Sequence, residues 1–248
     1  MNGGAYEALA HYYDVLTRDV NYERFADFYE QLFRRNGLEV RSVLDLACGT
    51  GTLTCLLAGR GYDMVGADSS EDMLSAALDK AAGLTNRPLF LHQPMEALDL
   101  YGTVDAVICS LDGMNYVRPE RLETVFSRVL LFLEPGGLFI FDIRPPAFLH
   151  AQDGEVFLDE TEEVFCIWRA RYDKKRDALA YGLDLFAREG KKWDRHREEH
   201  YEYAHRPELL LEKLSKAGFT DARICGELPA GAPAQPKERL FITARKEK

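Results

Sequence analysis

The stretch Asp45-Leu46-Ala47-Cys48-Gly49-Thr50-Gly51 sets a carboxylate beside two closely spaced glycines, and Asp68 follows seventeen residues after Gly51. Glycine lets the backbone approach a ligand where a Cβ would collide. A carboxylate such as Asp68 can accept hydrogen bonds from a ribose diol. The apolar run before the loop reads as a buried strand at about residues 42–47. Residues 52–58 read as a helix, and 63–68 as a second strand that ends in Asp68. Strand, glycine loop, helix and an acid closing the next strand make a nucleoside-binding unit.

Charge selects among nucleosides. A dinucleotide would place its anionic pyrophosphate near this turn, where Asp45 would repel it. Gly49-x-Gly51-x-x-Thr54 also lacks the third glycine of the dinucleotide pattern. S-adenosylmethionine has no phosphate and brings a cationic ammonium and a cationic sulfonium. The expected cofactor is therefore S-adenosylmethionine, with Asp45, Ala47, Gly49, Gly51 and Asp68 in its site.

These residues need a scaffold. Residues 5–35 carry two helical stripes, broken at Asp19-Val20-Asn21. A helix from Ser70 to Ala82 follows the second strand, with Ser69 or Ser70 as its cap. Strands at 89–92, 105–109 and 138–143 alternate with a helix at 120–133. After Arg144-Pro145-Pro146 the period changes to two, which predicts an antiparallel meander over 155–203. A helix at 206–217 and strands near 221–225 and 239–245 complete the chain. The expected fold is α/β: a Rossmann-like seven-stranded sheet with an antiparallel edge strand near 239–245, plus an antiparallel β insertion. The expected division is a helical cap at 1–36, a cofactor domain at 37–147 and 204–248, and a lid at 148–203.

Composition narrows the function. The 248 residues carry a net charge of −10, which disfavours a broad grip on nucleic acid. Lys174-Lys175-Arg176, Lys191-Lys192 and Arg195-His196-Arg197 are interleaved with acids and read as solvated hairpin faces. No apolar run is long enough for a bilayer, and no leader pattern opens the chain. Five scattered cysteines, without a CxxC pair, point to reduced thiols and to no zinc site. The expected location is the cytoplasm.

Asp45-x-Ala47-x-Gly49-x-Gly51 resembles motif I of the class I S-adenosylmethionine-dependent methyltransferases, with Ala47 where a glycine is usual. Val65–Leu74 resembles their next segment, and Glu134-Pro135-Gly136-Gly137-Leu138-Phe139-Ile140 their turn into the fifth strand. Tyr13-Asp14, Ser110-Leu111-Asp112-Gly113-Met114-Asn115-Tyr116, Glu163–Trp168 and Glu198-Glu199-His200 are similar to a little-characterised bacterial branch. The resemblance implies methyl transfer. It adds Tyr13, Ser69, Met73, Gln93, Met95 and Ser110 to the cofactor site; Pro94 stands where relatives carry the adenine-binding acid. It also turns Asp112, Asn115 and Tyr116 toward the acceptor.

In-line methyl transfer needs positioning more than a triad. Tyr116, Asp112 and His200 are the expected catalytic groups, with His200 as general base. Trp168, Tyr172 and His200 on the meander would enclose a small-molecule acceptor, with nucleic acid less favoured. Two alternatives share the cofactor: carboxyl transfer, which needs an arginine such as Arg144 or Arg169, and a non-catalytic or RNA-associated binding protein.

Overall fold

The computed structural model describes residues 9–225, 233 and 237–248. In chain order the helices are α1 (Leu9–Leu16), α2 (Tyr22–Arg35), α3 (Thr52–Gly59), α4 (Glu71–Ala81), α5 (Leu122–Phe132), α6 (Pro146–Ala151) and α7 (Pro207–Ala217). The strands are β1 (Ser42–Leu46), β2 (Asp63–Asp68), β3 (Leu89–His92), β4 (Val104–Cys109), β5 (Leu133–Ile143), β6 (Val156–Glu160), β7 (Val164–Asp173), β8 (Ala178–Glu189), β9 (Lys192–Tyr203), β10 (Thr220–Ile224) and β11 (Leu240–Arg245).

Seven strands form one sheet in the order β10-β11-β5-β4-β1-β2-β3. Strands β1 to β5 pair in parallel, and β11 runs antiparallel to both β5 and β10. The antiparallel strand is thus internal, and the expectation of an antiparallel edge at 239–245 is corrected. Phe241, Ile242 and Ala244 are fully buried, as an internal strand requires. The exposed Thr220, Asp221 and Arg223 of β10, with a register shift between Thr220 and Arg223, suit the true edge.

Apolar side chains cover both faces. Phe25, Phe28 and Tyr29 of α2, with Leu53 and Leu57 of α3, pack on Val43, Ile108, Ile140 and Phe241. Leu122, Val125 and Phe126 of α5, with Leu210 and Leu214 of α7, cover Leu44, Val107, Phe139 and Phe141. Helix α2 is therefore part of the main core. Asn21 starts it by accepting from Arg24 N–H at 3.0 Å.

The predicted meander is a separate four-stranded antiparallel sheet, ordered β6-β7-β8-β9. Leu9, Tyr12, Tyr13 and Leu16 of α1 pack on its Val164, Cys166, Leu183 and Leu185. Leu149 and Phe148 of α6, a helix the sequence reading did not anticipate, pack on Leu179 and Tyr181.

Gly51 has φ +68°, and a Cβ there would stand 2.8 Å from Ala77 Cβ and 3.1 Å from the Phe90 ring. Gly51→Ala should cost about 3 kcal/mol in urea unfolding, from left-handed strain plus overpacking. A loss below about 1 kcal/mol would show that the turn shifts freely.

Candidate active site

The carboxyl ends of β1, β2 and β4 meet where the strand order reverses, which is where ligands bind in open α/β sheets. Ala47, Gly49 and Gly51 have φ of 60°, 53° and 68°, so the loop after β1 coils through three left-handed residues. For Ala47 that conformation costs about 1–2 kcal/mol. Asp68 fixes the loop: its carboxylate accepts from Gly49 N–H at 2.8 Å and from Ser70 N–H at 2.9 Å. A carboxylate offers about four acceptor sites, so capacity remains for a ribose hydroxyl.

A cavity of about 560 Å³ opens above this loop. Of the expected cofactor residues, Tyr13, Asp45, Ala47, Gly49, Asp68, Ser69, Met73, Met95 and Ser110 line it, and so does the expected catalytic Tyr116. Four expected residues do not. Gly51 packs on Ala77 and Phe90 instead. Gln93 turns to Asp99, donating to its carbonyl at 3.2 Å and accepting from its N–H at 2.9 Å. Asp112 is buried and bonded to Arg239 at 2.6 Å. His200 faces inward on β9, but its Nε2 stands 3.0 Å from Glu198 and it is absent from the cavity wall.

Trp168, Tyr172 and His200, expected to enclose the acceptor, do not line this cavity. Helices α1 and α6 pack on the inner face of the second sheet, while the Tyr203 carbonyl at the end of β9 accepts from Asn115 in the turn that carries Tyr116. Trp168 donates to Asp159 at 3.1 Å, and the Tyr172 hydroxyl donates to Asp177 at 2.5 Å. Arg144 and Arg169 are also off the cavity wall. Arg144 lies 3.3 Å from Asp112. Arg169 joins Arg195 and Arg197 around Asp184 on the far face of the second sheet.

The sequence reading missed residues that build the wall. Leu111 and Asp112 have φ of 54° and 58°, a strained pair. Asp142, on β5, accepts from their N–H groups at 3.0 and 2.8 Å. Arg239 then bridges Asp142 and Asp112. No spacing rule links Arg239 to an acid 97 residues away. Asn115, which the resemblance turned toward the acceptor, is fully buried and bonds the carbonyls of Arg144 and Tyr203 at 3.1 and 2.9 Å.

The methyltransferase-domain family matches residues 43–137. YqeM of Bacillus subtilis, named as a methyltransferase, is 31% identical over 98% of both chains. This chain belongs to the class I S-adenosylmethionine-dependent methyltransferases. An S-adenosylmethionine-dependent methyltransferase from Clostridium acetobutylicum matches this enzyme with a TM-score of 0.84 and 29% identity, over 98% of this chain and 99% of its own. The sugar N-methyltransferase KedS8 from Streptoalloteichus shares the fold, with a TM-score of 0.81 at 22% identity over 100% of this chain and 96% of its own. S-adenosylmethionine is the cofactor of this methyltransferase, and the cavity suits it: the wall carries Asp45, Asp68, Glu71 and Asp72 and, among the described residues, no lysine or arginine.

Burial pushes the Asp45 carboxyl up to about 7; the Thr54 hydroxyl, donating at 2.6 Å, opposes this and the Asp68 charge adds to it. A raised folded-state pKa means stability that is full below about pH 4 and lost as pH rises toward 7. A shift of about three units corresponds to roughly 4 kcal/mol. Asp45→Asn should therefore flatten the fall in stability between pH 4 and pH 8 by up to that amount. Urea unfolding at both pH values checks this; an unchanged slope would show that Asp45 stays ionised throughout.

Proposed function

We propose that this methyltransferase modifies a small-molecule acceptor seated against Tyr13, Leu111 and Tyr116. The observation that carries the proposal is the wall itself, which is acidic and aromatic and, among the described residues, without lysine or arginine. A polynucleotide needs cations for its phosphates, whereas a small acceptor needs enclosure and a few polar anchors. When bound, S-adenosylmethionine supplies an already activated methyl group, so the protein chiefly orients and excludes water.

In this reading Asp68 holds the ribose, Asp45 faces the cationic end, and Met73 and Met95 flank the adenine. Tyr116 anchors the acceptor. Asp112 shapes the loop and His200 supports Glu198, without touching the acceptor. The second sheet serves as a lid that acts through α1. The sugar N-methyltransferase that shares this fold adds support for a small acceptor. Carboxyl transfer loses ground because both candidate arginines lie off the cavity wall.

The test is transfer of labelled methyl from S-adenosylmethionine to a metabolite extract, to tRNA and to protein extract. Label should enter the metabolite fraction; label in RNA or protein would overturn the acceptor class. S-adenosylhomocysteine binding with no label anywhere would point to a non-catalytic binder. With the acceptor in hand, Tyr116→Phe should lower turnover about tenfold and leave S-adenosylhomocysteine affinity within about threefold. Asp68→Ala should weaken that affinity by roughly 1.5–3 kcal/mol, the worth of a charged hydrogen bond. Equal losses of affinity and turnover in Tyr116→Phe would place Tyr116 on the cofactor instead.

A further inference from the structure

Asp14 follows Tyr13 on α1 and points to the opposite side from the second sheet's core. Its carboxylate accepts from the Thr50 hydroxyl at 2.6 Å and the Thr52 hydroxyl at 3.1 Å, and it lies 2.7 Å from Lys80 Nζ on α4. Lys80 also donates to both threonine hydroxyls. Burial works against the Asp14 charge, but the hydrogen bonds from Lys80, Thr50 and Thr52 hold its carboxyl below the usual carboxylate range. One carboxylate therefore ties α1 to the loop and helix that form the cofactor floor.

The other side of α1 is held as well. Leu9 N–H donates to Glu198 on β9 at 3.1 Å, and Leu9, Tyr12 and Leu16 pack on β7 and β8. Just past Tyr13, Thr17 donates to the Tyr13 carbonyl from both its N–H and its hydroxyl, each at 2.8 Å. Tyr13 is left facing the cavity between these anchors. The bonds of Asp14 join α1 to the glycine loop, the start of α3 and α4.

We infer that Asp14 is a positioning residue that fastens α1 across the cofactor cavity, holds Tyr13 over the bound cofactor and slows its departure. The inference rests on the cofactor placement proposed above. It follows that the ligand must wait for the Asp14 contacts to open before it leaves, whatever acceptor the enzyme uses.

The test is the dissociation rate of S-adenosylhomocysteine from the full chain, followed by stopped-flow after displacement. Asp14→Ala should raise the off-rate about tenfold or more, with the on-rate within about threefold of wild type. Asp14→Asn should fall between, because its amide oxygen still accepts from the threonines while the charge toward Lys80 is gone. Lys80→Gln should also raise the off-rate, and Asp14→Ala/Lys80→Gln should exceed Asp14→Ala by less than twofold, since the two residues share one set of contacts. A merely structural defect would instead lower the fraction of binding-competent chains and leave the off-rate of the rest unchanged. If Asp14→Ala folds poorly, Asp14→Asn and Lys80→Gln carry the test. Off-rates within twofold of wild type in these variants would overturn the inference and leave the cofactor reading standing. A wild-type chain that binds no S-adenosylhomocysteine would overturn both.

Discussion

Carboxylates crowd one edge of this protein, and much of the site follows from how each is kept there. Asp45 lies near the end of β1, Asp68 closes β2, Asp112 follows β4 and Asp142 lies in β5. Buried like charges repel and lose hydration. Asp68 meets this with backbone amides. Asp112 and Asp142 share the guanidinium of Arg239. Asp45 has the Thr54 hydroxyl and is held near neutrality by burial. Glu202, buried beside Asp112 and Arg144, is pushed up to about 8 by burial first and by the Asp112 charge second. The cavity wall itself carries Asp45, Asp68, Glu71 and Asp72 and, among the described residues, no lysine or arginine, which suits a cationic ligand better than an anionic one.

The same acids shape the cavity wall. Two successive left-handed residues, Leu111 and Asp112, persist because Asp142 takes both of their amides. Asn115 carries the constraint outward, bonding the end of β5 and the end of β9. The wall loop, the main sheet and the second sheet are thus joined by buried polar contacts, where an unmade hydrogen bond is costly.

The second sheet packs on α1 and α6, and its Tyr203 carbonyl accepts from Asn115. The apolar side chains of its inner face pack on the nearest apolar helix. That helix is α1 along β7 and β8, and α6 beside Tyr181. Trp168 pairs with Asp159, Tyr172 with Asp177 and with the His150 ring of α6, and His200 with Glu198. His200 faces inward as its strand parity required, yet meets Glu198.

The sequence by itself determined the βα alternation, the change of period after Pro146, and the loop of Asp45, Gly49 and Gly51 with Asp68 beyond it. These are legible because each depends on residues close in the chain: periodicity sets an element, and a strand end sets where its next side chain lies. The family resemblance added Tyr13, Ser69, Met73, Met95 and Ser110, all of which line the cavity. Tertiary structure alone decided the rest. It placed β11 inside the sheet because its burial is two-sided. It turned Gln93 to the Asp99 backbone and drew Arg239 to Asp142 across the sheet. It set Asp14 against Thr50, Thr52 and Lys80. Arg239 with Asp142, and Asp14 with Thr50, Thr52 and Lys80, are pairings of polar groups far apart in sequence, and a lone side chain carries no periodic signal of such a partner.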